Sequence, residues 1–127
     1  MKVKLKNIRQ GIRPNQVGII QEFVKFLNRN MKLRNDISIR FVELRDDKMT
    51  TGRHKGDDLV VFTKSRILVD ILRTLAHEWI HEIQDEYWKI QPTGERAQED
   101  HANSISGYLL RKFMKQNPSI EAELYKD

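Results

Sequence analysis

A small α+β domain is the fold this sequence predicts, in the order helix, strands, helix, helix, and three observations carry it. Three long stretches repeat apolar residues at three- and four-residue steps, the period of a helix packed on one face. Two shorter stretches, "ISIRFVEL" and "LVVF", are rich in the β-branched and aromatic residues that favour strands. The 127 residues suffice for one hydrophobic core and are too few for a second. No repeat, low-complexity tract or linker divides residues 1–127, so a single domain is expected.

The elements follow in chain order. "KVKLKNI" alternates lysine with Val3 and Leu5, which suits a short edge strand with its lysines in water. From Pro14, the residues Val17, Ile20, Phe23, Val24, Leu27 and Met31 trace a helical stripe, with Asn15 as candidate cap. "ISIRFVEL", residues 37–44, alternates Ile37, Ile39 and Phe41 with polar residues and reads as a strand with a bulge near its end. The polar run "RDDKMTTGRHKGDD", with Gly52 and Gly56, reads as a long tip joining that strand to "LVVF" at 59–62. The sheet is therefore short, mixed or antiparallel.

A second helix covers "SRILVDILRTLAHEWIHEIQDEYWKI", with Ser65 as candidate cap and Leu68, Leu72, Ala76, Trp79, Ile80, Ile83 and Tyr87 on its apolar side. Pro92 and Gly94 end it. The last long helix runs from Gly94 or Glu95 to Gln116, with Ala102, Ile105, Leu109, Leu110 and Phe113 toward the core. "NPS" stops it, and "IEAELYKD" is read as a further turn or a frayed end.

Absence of cysteine excludes disulfides, a thiolate metal site and a cysteine nucleophile, which leaves any metal to His, Asp and Glu. "MKVKLKNIRQGIRPN" lacks an apolar run of signal-peptide length, and no stretch approaches the ~20 apolar residues that span a bilayer. A soluble, cytoplasmic protein without a membrane partner is expected. Residues 1–56 hold 14 Lys+Arg against 5 Asp+Glu and residues 57–127 hold 9 against 13, giving net charges of +9 and −4. The basic residues are scattered through the elements, so a solvated surface is favoured over a nucleic-acid partner.

"LAHEWIHEIQ", residues 75–84, places His77 and His81 four positions apart with Glu78 directly after the first. At about 100° per residue the imidazoles stack one turn apart, roughly opposite the stripe through Leu72 and Ile83, and both can reach a single zinc ion. Glu78 points to the neighbouring sector, able to meet a water at the metal without ligating it. With 4 His and 9 Glu in the chain, an H-E-x-x-H pattern arises by chance in about one such sequence in a hundred. The motif is thus informative, and its bland counterpart is a charge-rich surface helix.

A catalytic zinc needs a third protein ligand, and Glu95, Glu99 and His101 are the downstream candidates. Glu99 shares a helix face with Ala102, Asn103, Ser106 and Leu110, whereas His101 lies about 160° away. Only one of the two can face the metal. Glu99 is favoured because Ala102 lets two helices approach and Asn103 can accept the second ring N–H of a ligating histidine; His101 is the alternative ligand.

"HEWIH" followed 18 residues after His81 by "EDHAN" resembles the gluzincin metallopeptidases. "RTLAHEWIH" with "EDHANSISGYLL" is similar to the small ImmA/IrrE-type metallopeptidases and their minigluzincin relatives, over roughly residues 58–113. The resemblance implies a zincin-like fold with an active-site helix and a C-terminal ligand helix. It implies Zn2+ held by His77, His81 and Glu99, with Glu78 as general base and Asn103 behind the ligands. The reaction it implies is hydrolysis of peptide bonds in a protein or peptide substrate, with "LVVF" as the cleft edge that pairs with an extended peptide. Gln84 and Tyr87 stand where a metzincin would carry glycine and histidine, which excludes that subclass. Trp79–Ile80 and Ile105–Ser106 depart from the commoner Leu-Gly and Phe-Ala of the ImmA/IrrE pattern.

An oxyanion donor is also needed, and Tyr108 is the named candidate beside Arg96, His54 and His101, although packing or surface roles are the plainer reading of each. Tyr87 and Trp88 read as helix-end packing, Asp70 and Asp85 as solvated charges. Two rival functions are an SprT-like protease that works near nucleic acid, with His101 completing a three-histidine site, and a non-catalytic protein-binding module stapled by zinc. The stretch from Arg45 to Asp58, or the C-terminal tail, could fill the cleft and hold the enzyme latent. No helix-turn-helix or sensor domain is legible, so regulatory input is expected to be missing or supplied by a partner.

Overall fold

The computed structural model describes residues 1–43, 52–87 and 94–126, with Arg53, His54 and Lys55 as backbone alone. The fold is mixed α+β. Strand β1 (Val3–Lys6) leads to helix α1 (Pro14–Asn30) and strand β2 (Ile37–Val42). Strands β3 (Gly52–Lys55) and β4 (Asp58–Phe62) follow, then helices α2 (Leu68–Tyr87) and α3 (Gly94–Gln116). A 3-10 turn at Pro118–Ile120 and a short α4 (Glu121–Leu124) close the chain.

The sheet order is β1-β2-β4-β3, with β1, β2 and β4 parallel and β3 antiparallel to β4. β1 is an edge strand, as its alternation suggested: Val3 and Leu5 are half-buried while Lys4 and Lys6 face water. β2 buries Ile37, Ile39 and Phe41. Its pairing to β4 runs unbroken from Ser38 to Val42, so the expected bulge is not found there, and Leu44 lies outside the described residues.

The expected strand pair joined by a long tip is corrected. β2 and β4 are parallel neighbours, and the antiparallel partner of β4 is β3, which lies inside the polar run read as a loop. Gly56 and Asp57 form the two-residue connection, and Gly56 takes the positive φ of 59° that such hairpin turns require. Strand β3 escapes hydrophobic patterning because "GRHK" contains no apolar side chain.

Both expected helix caps differ as well. Pro14 opens α1, Gln16 Oε1 accepts the backbone N–H of Arg13 at 3.2 Å, and Asn15 instead donates to Glu123 Oε1 at 2.7 Å. α2 begins at Leu68, beyond Ser65, whose φ of 58° is incompatible with the extended backbone of an N-cap. The carbonyl of Ile67 takes the N–H groups of Asp70 and Ile71, and the Arg66 guanidinium donates to the carbonyls of Phe62 and Asp70.

α2 packs between the sheet and α3, so burial spreads beyond one stripe to Val69, Ile71 and Leu75. Trp79 is fully buried and donates its indole N–H to the Met31 carbonyl at 2.8 Å. Tyr87 is 40% exposed, with its hydroxyl on the Lys32 carbonyl and the Arg34 guanidinium 4.0 Å above its ring; Trp88 lies outside the described residues. Phe113 of α3 meets Phe23 and Phe26 of α1 at ring separations of 4.9 and 5.3 Å. This cluster fixes α3, which carries the downstream ligand candidates. The tail is folded, since Leu124 is fully buried and Glu123 holds Asn15. Among the described residues, no helix is long and apolar enough to cross a membrane.

Candidate metal centre

The four-residue step in α2 stacks His77 and His81 on the side that faces α3, with imidazole centroids 4.6 Å apart. Their side chains are 19% and 14% exposed, so they line a cleft rather than either the core or open solvent. α3 delivers Glu99 across the cleft, and fully buried Ala102 one turn later allows the two helices to meet closely. Glu99 Oε2 lies 3.0 Å from His77 Nε2, Glu99 Oε1 lies 2.8 Å from His81 Nε2, and the two Nε2 atoms are 3.0 Å apart. Among the described residues this is the one group of three donors able to hold a metal ion.

The donor set fits zinc. Two imidazole nitrogens and one carboxylate are ligands zinc prefers, and a tetrahedral ion with bonds of about 2.0–2.1 Å spaces its ligand atoms about 3.3 Å apart. The observed separations of 2.8–3.0 Å, which involve both oxygens of Glu99, are shorter than that spacing by up to about half an ångström, so a small outward movement of the side chains admits the ion. Glu99 is 48% exposed, so one side of the cluster faces solvent.

Glu78 is 7% exposed, and its carboxyl is pushed up to about 7, first by desolvation and further by the charge of Glu99, against the opposing pull of His81. Strand β3 lies directly over it. A Cβ on Gly52 would sit 2.6 Å from Thr74 Cγ2 and 3.1 Å from Glu78 Oε2, so only glycine lets the strand come this close. The ring of His77 is held below its ordinary pKa by burial and by His81, while Glu99 and a hydrogen bond with Asn103 act in the opposite direction. Asn103 is thus within hydrogen-bond reach of His77.

The remaining candidates are distributed differently. Glu95 is exposed in the first turn of α3 and is outside the cluster. His101 does not join it either: its Nδ1 accepts from Gln84 Nε2 at 3.0 Å, and burial holds its pKa below the usual value. Tyr108, the expected oxyanion donor, is 55% exposed and nine residues from Glu99, about half a revolution around α3, so it points away. Arg96 is exposed on the same helix, and the His54 side chain lies outside the described residues. The cleft-edge expectation for "LVVF" is also corrected. β4 is paired on both sides, so its backbone groups are taken, and β3 is the edge beside Glu78.

Gln84 was missed. It is 2% exposed, its Oε1 lies 2.8 Å from His81 Nδ1, and its Nε2 donates to the Gln98 carbonyl at 2.9 Å. The available signal was its position three residues after His81, next to it on the helix surface. Comparison with protein-family models finds no match, and neither do comparisons with curated proteins or with solved structures.

Proposed function

We propose that this chain is a zinc-dependent metallopeptidase of the gluzincin kind, hydrolysing peptide bonds of a protein or peptide substrate. The observation that carries the reading is the convergence of His77, His81 and Glu99 beside a buried Glu78. His77, His81 and Glu99 would hold the ion, which when bound supplies Lewis acidity to a carbonyl oxygen and acidifies a water.

Glu78 does the proton work in this reading. Its buried carboxylate, directly after His77 in the chain, would take a proton from water and return it to the departing amine. Its burial against Gly52 restricts its rotamers and excludes bulk water from one side. Edge strand β3 offers backbone groups to an extended peptide, which would lie along the cleft as an added strand. Asn103 and Gln84 hold the imidazoles from behind.

The test is a mixture of unstructured peptides incubated with the zinc-loaded protein and with Glu78→Gln, analysed by mass spectrometry at matched zinc content. New cleavage products from the wild type that vanish in the variant support the reading. Zinc bound by both with cleavage by neither leaves a protein-binding module stapled by zinc.

A further inference from the structure

One carbonyl group decides the proton positions around the cluster. The backbone oxygen of Gln98 can only accept, so the Gln84 amide must turn its NH2 toward it. The amide oxygen of Gln84 then faces His81 Nδ1 at 2.8 Å, and an oxygen there requires a proton on that nitrogen. With Nδ1 protonated, the ligand lone pair of His81 can only be on Nε2, the atom that meets His77 and Glu99. The second amide hydrogen of Gln84 goes to His101 Nδ1, which must therefore be bare, so a neutral His101 carries its proton on Nε2.

We propose that Gln84 is a positioning residue that locks His81 in the Nδ1–H form and ties the helix bearing two of the ligands to the helix bearing the third. The proposal rests on the metal-site reading and deepens it. Gln84 belongs to α2, Gln98 and His101 belong to α3, and Gln98 immediately precedes Glu99. A single buried amide thus sets both the tautomer of one ligand and the distance to another. The same hydrogen bond accounts for the place of His101, which braces the amide from outside the cluster.

Nitrogen-15 NMR of the imidazoles at pH 8, without metal, reads the tautomer directly, and competition with a chelating dye reads zinc affinity in wild type, Gln84→Leu and Gln84→Glu. His81 Nδ1 is expected to carry a proton in the wild type. Gln84→Leu is expected to weaken zinc binding about 10- to 100-fold, the usual effect of removing a partner behind a ligand. Gln84→Glu keeps an acceptor for Nδ1 but sets its other oxygen against the Gln98 carbonyl, so it is expected to lose less affinity than Gln84→Leu without recovering wild-type binding. A bare Nδ1 in the wild type, unchanged affinity in Gln84→Leu, or equal losses in both variants would overturn the proposal. A wild type that binds no zinc refutes the metal site instead, while the Nδ1 signal still decides the role of Gln84 whether or not the variants fold.

Discussion

Glu78 carries an electrostatic cost that can be read from stability alone. Its folded pKa of about 7 lies above the ordinary 4.5, so the neutral form is the one the folded protein favours. Stability from this group is therefore fully present below about pH 4.5 and is lost as pH rises through 7; linkage sets the full loss at about 3 kcal/mol. Glu78→Gln removes the charge and keeps the shape. In urea titrations of metal-free protein, the variant is expected to be more stable than wild type by about 1–3 kcal/mol at pH 8 and equal to it at pH 4.5. Equal stability at pH 8 would mean that the carboxylate is not desolvated. At this scale the sequence was informative where chemistry is local. The four-residue step of His77 and His81 and the helix face shared by Glu99 and Asn103 follow from 3.6 residues per turn, and all four residues are found together. Gln84 lies three residues after His81 but escaped because the groups that orient its amide, the Gln98 carbonyl and His101, come from another helix. Tyr108 was misplaced because residue type rather than helix phase suggested it.

At the scale of elements, the approach of β3 and α3 to α2 shapes the cleft. Gly52→Ala would drive a methyl group into Thr74 Cγ2, and overpacking of this kind costs about 1–3 kcal/mol. Thr74→Ser removes that carbon, so the double variant is expected to regain at least half of the loss in a double-mutant cycle; strictly additive effects would contradict the contact. On the opposite side, Ala102→Leu is expected to cost about 1–3 kcal/mol and to weaken zinc binding, because it separates α3 from α2 where Glu99 crosses. Loss of stability with unchanged zinc affinity would show that the cluster does not depend on this helix spacing. The long helices were legible because their apolar repeats persist for many turns. β3 was not, since it is short, polar and specified by pairing with β4 and by the Gly56–Asp57 turn. Ser65 failed as a cap because its φ of 58° is not the extended backbone of an N-cap and α2 starts only at Leu68, and Asn15 failed because the helix already begins at Pro14, with Gln16 accepting the Arg13 N–H.

At the scale of the whole molecule, the two helices that carry His77, His81 and Glu99 both contribute to the one hydrophobic core. Leu109, Leu110 and Phe113 anchor α3, while Leu72, Ala76 and Trp79 anchor α2, so an ion across His77, His81 and Glu99 would link two parts of one packed unit. Binding to the folded state alone raises stability by RT ln(1 + [L]/Kd), which is about 2.7 kcal/mol at a free zinc concentration of 100 times Kd. The most direct test of a metal centre made by these residues is native mass spectrometry of zinc content in wild type, Glu99→Ala and His101→Ala after reconstitution. Near-stoichiometric zinc in wild type and His101→Ala, with loss in Glu99→Ala, is the expected result. No zinc in the wild type, or retention in Glu99→Ala with loss in His101→Ala, would contradict it.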